Sequence, residues 1–231
     1  MVQTPDHQSR AVRIAAHGVV LDGDLAVPAG ARGVVVFAHG SGSSRQSPRN
    51  RRVAAQLQEG GFATLLFDLL TLAEERRDAF TGELRFNIAL LADRLAEATD
   101  WVGSSPDLRG LPIGHFGAST GGAAALVAAA LRPQSVLAVV SRGGRPDLAG
   151  SYIGRVKAPT LLIVGGNDTA VIQMNRAALA QLHMGAKQLV IVPGAGHLFE
   201  EPGTLDRVAA LARAWFERHL GARAPAEPAR A

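Results

Sequence analysis

Residues 114–122 read Gly-His-Phe-Gly-Ala-Ser-Thr-Gly-Gly, or GHFGASTGG. The run in front, LPIGHF (111–116), is short and apolar, the pattern of a buried strand. The run behind, AAALVAAALR (123–132), consists of strong helix formers and stops at Pro133. One serine, Ser119, stands on the glycine-flanked turn between them. So tight a turn needs residues without a Cβ, some of them at positive φ. Ser119 has a plain reading as the N-cap of the helix at 119–132. It also has a chemical reading. Gly-x-Ser-x-Gly on a strand–turn–helix lifts a hydroxyl clear of the sheet edge as a nucleophile.

Strand and helix patterns alternate outward from this turn. Upstream, AVRIAAHG (11–18) and VVLDGDLAV (19–27) read as an antiparallel start to a sheet. GVVVFAHG (33–40) and FATLLFDLL (62–70) read as strands buried on both faces. Between them Ser47 caps a helix with Pro48 at its first position, ending at Gly60-Gly61. Residues 71–83 read as a polar loop, followed by a long helix whose apolar face carries Leu84, Ile88, Leu91, Leu95 and Ala98. Downstream, SVLAVV (135–140), APTLLIVGG (158–166) and KQLVIVPG (187–194) are strands, with helices over 169–183 and about 203–219. The pattern predicts one α/β domain over residues 1–221, with a mostly parallel sheet of seven or eight strands flanked by helices, and a flexible tail at 222–231.

Composition narrows the function classes. The net charge is +4 over 231 residues, with no basic stripe interleaved with aromatics, so no nucleic-acid partner is expected. The absence of cysteine removes disulfides, thiolate metal sites and a Cys nucleophile, and fits a cytoplasmic protein. No secretory leader and no run of about 18 apolar residues is present, so no membrane partner is expected. HGSGSSR has Arg45 at the third glycine position of a dinucleotide loop, and GASTGG lacks the lysine of a phosphate loop. There is no His-Glu-x-x-His, and Glu200-Glu201-Pro202 reads as a solvated helix entry, so neither a metal nor a cofactor is expected.

In a doubly wound sheet the loops leaving the strand C-termini share one edge, where ligands bind. Four polar clusters fall there: His39-Gly40-Ser41, Ser119, Asn167-Asp168, and His197 in GAGHLF. Serine needs a base, and the base needs an orienting acid. Ser119, Asp168 and His197 offer all three, separated by one strand–helix unit each, in an order known for serine triads. Asp168 competes with a role as helix cap, and with Asp147 as the acid. It is preferred because GGND follows its strand directly, whereas Asp147 lies beyond Val140. Among the other histidines, His7 and His17 are remote in sequence. His183 and His219 end helices, where imidazole suits the dipole, and His115 lies inside a strand.

These motifs resemble the α/β-hydrolase superfamily over residues 12–220, and within it small, lid-poor proteins similar to dienelactone hydrolases. GASTG looks like the nucleophile elbow, HGSGSS like the oxyanion loop, and GGND and GAGH like the acid and base loops. The resemblance implies that His39 shapes the oxyanion loop. It implies that the amides of Ser41 and Thr120 stabilise the oxyanion, Thr120 with the added help of a helix N-terminus. Dienelactone hydrolases proper carry Cys at the elbow and this chain carries Ser119, so a general serine esterase acting on a small ester is expected rather than lactone chemistry. The alternatives are a cofactor-free perhydrolase, with peroxide replacing water, and a non-catalytic binding domain on the same fold. The short stretch between Val140 and Pro159 leaves no room for a helical cap, so acyl groups of about two to six carbons are expected. Pocket walls are expected from LLTLAEERRDAF (69–80), SRGGRPDLAGSYIG (141–154), Val171 and Met174. The oligomeric state is left open.

Overall fold

The computed structural model describes residues 9–221. The tail at 222–231 and His7 lie outside them. Eight strands form one sheet in the order β1-β2-β4-β3-β5-β6-β7-β8. The hairpin β1 (Arg10–Ala16) and β2 (Val19–Ala26) pairs antiparallel, with Ile14 opposite Leu21, and β2 pairs antiparallel with β4 (Ala63–Phe67). The remaining pairings are parallel: β4 with β3 (Val34–Ala38), β3 with β5 (Ile113–Ala118), then β6 (Val136–Arg142), β7 (Thr160–Gly165) and β8 (Lys187–Val192).

Strands β3, β4, β5 and β7 are buried at every residue, as continuous apolar runs require of a sheet covered on both faces. Alternate residues feed two cores. Val34, Val36, Leu65 and Phe67 pack under α3 (Ile88–Ser104) and α4 (Thr120–Leu131). Val35, Phe37 and Phe116 pack under α1 (Pro48–Glu59) and α6 (Thr204–Leu220). Helix α5 (Thr169–Gln181) covers β7 and β8. Ser47 caps α1 by accepting the Asn50 amide at 3.3 Å, with Pro48 next, as the sequence predicts.

Two expectations are corrected. Residues Leu72–Thr81 form a helix, α2, instead of a polar loop. Thr71 and Glu74 make a reciprocal capping box and Gly82 closes the helix in the left-handed region, so local capping outweighs the weak apolar pattern. Helix α3 begins at Ile88, with Asn87 as its cap, so Leu84 lies in the preceding turn. That turn is held by the buried Asp78 carboxylate, which accepts the Leu84 and Arg85 amides. Between β6 and β7 lie two short 3₁₀ turns within Pro146–Arg155, broken at Gly150 with φ 53°, and no helical cap.

The strand order places the site. From β3 the chain moves one way to β4, and from β5 it moves the other way to β8. The loops after β3 and β5 therefore diverge at a topological switch point, where an open α/β sheet leaves a crevice.

Candidate active site

Ser119 sits at this switch point with φ 52° and ψ −120°. A non-glycine residue held there costs about 1–3 kcal/mol, which the packing around the turn must supply. The flanking glycines permit the turn by close approach. A Cβ on Gly117 would lie 2.3 Å from the Gly121 carbonyl oxygen, and one on Gly121 would lie 2.2 Å from that of Ala38. The Ser119 carbonyl accepts the Gly122 and Arg145 amides, which pins the turn. Its side chain makes no capping bond to α4, so the plain N-cap reading fails.

The Ser119 hydroxyl instead faces His197, with Oγ 3.3 Å from Nε2. On the far side of the ring, Nδ1 lies 2.6 Å from Asp168 Oδ2. Nδ1–H therefore donates to the carboxylate, leaving the Nε2 lone pair toward the serine. Asp168 also makes no cap bond to its helix. The rival Asp147 pairs with Arg145 at the surface, away from this chain of bonds. The imidazole is partly exposed and the carboxylate mostly buried, at 37% and 16% of side-chain surface.

The loop after β3, the candidate oxyanion loop, is held from below. His39 Nε2 accepts the Leu69 amide at 3.0 Å, and Nδ1–H donates to the Gly40 carbonyl at 3.0 Å. Burial keeps this ring below the usual imidazole range, consistent with a neutral structural role. The Thr120 amide is the first of α4, in a turn whose N–H groups lack intrahelical acceptors. The Ser41 amide is brought to the same place, but it donates to Thr120 Oγ1 at 2.9 Å. One of the two expected oxyanion donors is thus occupied in the resting site.

Two cavities share Gly40, Ser41 and Ser43. One, of about 220 Å³, is lined by Ser119, His197, Leu198, Arg49, Asn50 and Arg142. The other, of about 330 Å³, lies against Leu69, Leu70, Leu91 and the α2 residues Glu75 and Asp78. Helix α2 is therefore a side wall next to the site. Val171 packs against Val164 and Ile172 and lines neither cavity. Arg142 falls within the predicted 141–154 segment, but sequence reasoning did not single it out. The available signal was a lone cation ending an apolar strand at the ligand edge. Among the described residues no cluster of His, Cys, Asp and Glu is suited to a metal, and no helix is long and apolar enough to cross a membrane.

Two curated proteins of Mycobacterium tuberculosis strains, each named "Putative phosphoribosyl transferase", are 57% identical over 216 residues. That stretch is 94% of this chain and 48% of theirs, so the chain spans about half the length of these relatives. A dienelactone hydrolase of Anabaena variabilis is 62% identical, with a TM-score of 0.90 over 92% of this chain and 98% of that one. A serine hydrolase of Xanthomonas campestris described as lacking a lid shares the fold at 21% identity, with a TM-score of 0.72 over 95% and 97% of the two chains. The model of the dienelactone hydrolase family matches residues 21–220. A match across nearly the whole sheet, elbow included, means that this chain belongs to the dienelactone hydrolase family, within the α/β hydrolases.

Proposed function

We propose that the protein is a serine hydrolase that cleaves small carboxylic esters through an acyl-enzyme. The observation that carries this reading is the continuous relay from Ser119 Oγ through His197 to Asp168. In the reaction, His197 Nε2 takes the hydroxyl proton as Ser119 Oγ bonds to the ester carbonyl carbon. Asp168 holds the ring and stabilises the imidazolium. The proton passes to the departing alkoxide, and water then repeats the sequence to release the acid and free Ser119. The Thr120 amide is the resident oxyanion donor. The Ser41 amide joins it when Thr120 Oγ1 moves aside and the developing charge takes its place as acceptor, each donor contributing about 3 kcal/mol. The resting distance of 3.3 Å suits a bond that tightens when substrate arrives.

Family membership supports hydrolysis, and serine at the elbow supports general ester chemistry. The transferase name belongs to proteins twice as long. The 220 Å³ cavity and the absence of a cap between β6 and β7 favour short acyl groups, because a methylene contributes about 0.8 kcal/mol only where it is buried. Turnover of p-nitrophenyl esters from acetate to palmitate tests both points. The expected maximum lies at about two to six carbons, and Ser119→Ala is expected to reduce turnover to the buffer rate while the protein stays folded. Undiminished turnover in the alanine variant would overturn the reading, and a maximum at long chains would overturn the short-acyl part of it.

A further inference from the structure

The Ser41 amide is aimed before any substrate arrives, and Thr120 is not what aims it. A peptide unit is planar, so fixing a carbonyl fixes the direction of the N–H that follows. The Gly40 carbonyl is held twice. It accepts from His39 Nδ1–H at 3.0 Å and from the Ser43 amide at 3.2 Å. The second bond closes a tight turn in which Gly42 takes φ 69°, in the left-handed region. The N–H of the same peptide, that of Ser41, therefore points the opposite way, toward Thr120 Oγ1 at 2.9 Å.

The loop around this turn is tied at both ends to two adjacent residues just after β4. At one end His39 accepts the Leu69 amide. At the other, Arg45 gives its amide to Asp68 Oδ1 at 2.7 Å and its guanidinium to Oδ2 of the same carboxylate. Asp24 of β2 lies 3.6 Å from Arg45 Nε, so the guanidinium sits between two carboxylates.

With the loop held from elsewhere, the Thr120 hydroxyl is not needed as its support. Thr120 is 2% exposed, and among the described residues its side chain makes no other hydrogen bond. Oγ1 and N branch from one Cα, so the hydroxyl also lies close to the Thr120 amide, the other expected oxyanion donor. It stands where an oxyanion would accept from both amides. Threonine on a helix divides between two χ1 rotamers, so the hydroxyl can leave while the backbone stays in place.

We propose that the Thr120 hydroxyl is a stand-in for the oxyanion. It fills the hole in the resting protein, withdraws by a side-chain rotation, and slows the reaction by the strength of the bond it gives up. Arg45 and Asp68 are positioning residues that keep the Ser41 amide aimed once the hydroxyl has left. This rests on the reading of Ser119 as nucleophile and adds to it a brake inside the oxyanion hole.

Thr120→Ala empties the place. Its kcat on p-nitrophenyl acetate is expected to rise about two- to tenfold, the equivalent of one net hydrogen bond. KM is expected to stay unchanged, because the oxyanion forms only beyond the ground state. The conservative Thr120→Ser restores the hydroxyl and with it the slower rate. Hydrogen exchange at the Ser41 amide is expected to quicken in Thr120→Ala and not in Thr120→Ser, which reads the pairing without turnover. Arg45→Met frees one end of the loop and is expected to lower kcat at unchanged KM. Adding Thr120→Ala to it is expected to lower kcat further, the opposite of its effect in the wild type. If Arg45→Met does not fold, the two Thr120 variants decide the brake alone. A lower or unchanged kcat in Thr120→Ala would overturn the brake, and the hydroxyl would then be a support or a donor. Equal acceleration by Thr120→Ala with and without Arg45 would overturn the positioning role of Arg45. Turnover persisting in Ser119→Ala would instead overturn the nucleophile, while the exchange rates would still report whether Thr120 holds the Ser41 amide.

Discussion

Ser119 holds its hydroxyl at the sheet edge at a conformational cost, and the residues around it are chosen by that cost. Gly117 and Gly121 are needed because any side chain there would collide with backbone. Geometry separates the two candidate acids. Asp168 touches His197 Nδ1 at 2.6 Å, while Asp147 is engaged by Arg145. Asp168→Asn is therefore expected to lower kcat by about four orders of magnitude, since an amide favours the wrong imidazole tautomer. Asp147→Asn is expected to change it less than about twofold, as for a surface ion pair. Steady-state rates on one ester check both, and a reversed ranking would move the acid to the loop after β6. That Ser119, Asp168 and His197 would meet at one edge was legible because an elbow and two loops at strand ends carry short, recognisable patterns. Arg142 was not, because a charge at a strand end looks solvated until the packing over it is known. Nor was the bond between the Ser41 amide and the Thr120 hydroxyl, which joins loops 79 residues apart.

At the level of elements, α2 braces the wall of the site, and it was missed. The sequence 71–74, Thr-Leu-Ala-Glu, fits a capping box, but the charges at 74–78 suggested solvated chain. What keeps α2 in place is a tertiary pair. Arg94 on α3 is 2% exposed and donates to both Glu74 carboxylate oxygens, at 2.7 and 2.9 Å, and to the Leu69 carbonyl at 2.8 Å. Leu69 in turn donates its amide to His39, so the pair reaches the oxyanion loop through one residue. Glu74→Ala leaves Arg94 buried and unpaired, and is expected to cost about 3 kcal/mol or more. The combined change to Glu74→Leu and Arg94→Met is expected to recover most of that, because two apolar groups replace a buried pair. Urea unfolding of the three proteins checks this. Equal stability of Glu74→Ala and wild type would mean that α2 is not anchored by the pair.

At the level of the whole molecule, the sheet was legible because β3, β4, β5 and β7 are unbroken apolar runs. Its order follows from the chain reversing direction between β4 and β5. Stability against acid depends on buried groups in that body. His115 is fully buried with Nε2 2.8 Å from Thr99 Oγ1, and burial pushes it down to about 4. The folded state thus resists a proton that the unfolded chain accepts near 6.5. This contribution is complete above pH 6.5 and is lost as pH falls toward 4, at up to about 1.4 kcal/mol per pH unit. For Glu74, burial works to raise the carboxyl, but the bonds and charge of Arg94 and the bonds to Thr71 outweigh it and hold the group at about 2. Its contribution is present above about 4.5 and fades below. Urea midpoints are therefore expected to drop from pH 7 to pH 4.5, and a flat profile would contradict the neutral, buried His115. The claim on which the functional account rests is that Ser119 Oγ is the nucleophile. Peptide mass mapping after exposure to a fluorophosphonate measures it directly. The account predicts a single adduct on Ser119, formed far more slowly in His197→Ala. A folded, ester-cleaving protein that stays unlabelled at Ser119, or labels at another residue, would contradict it.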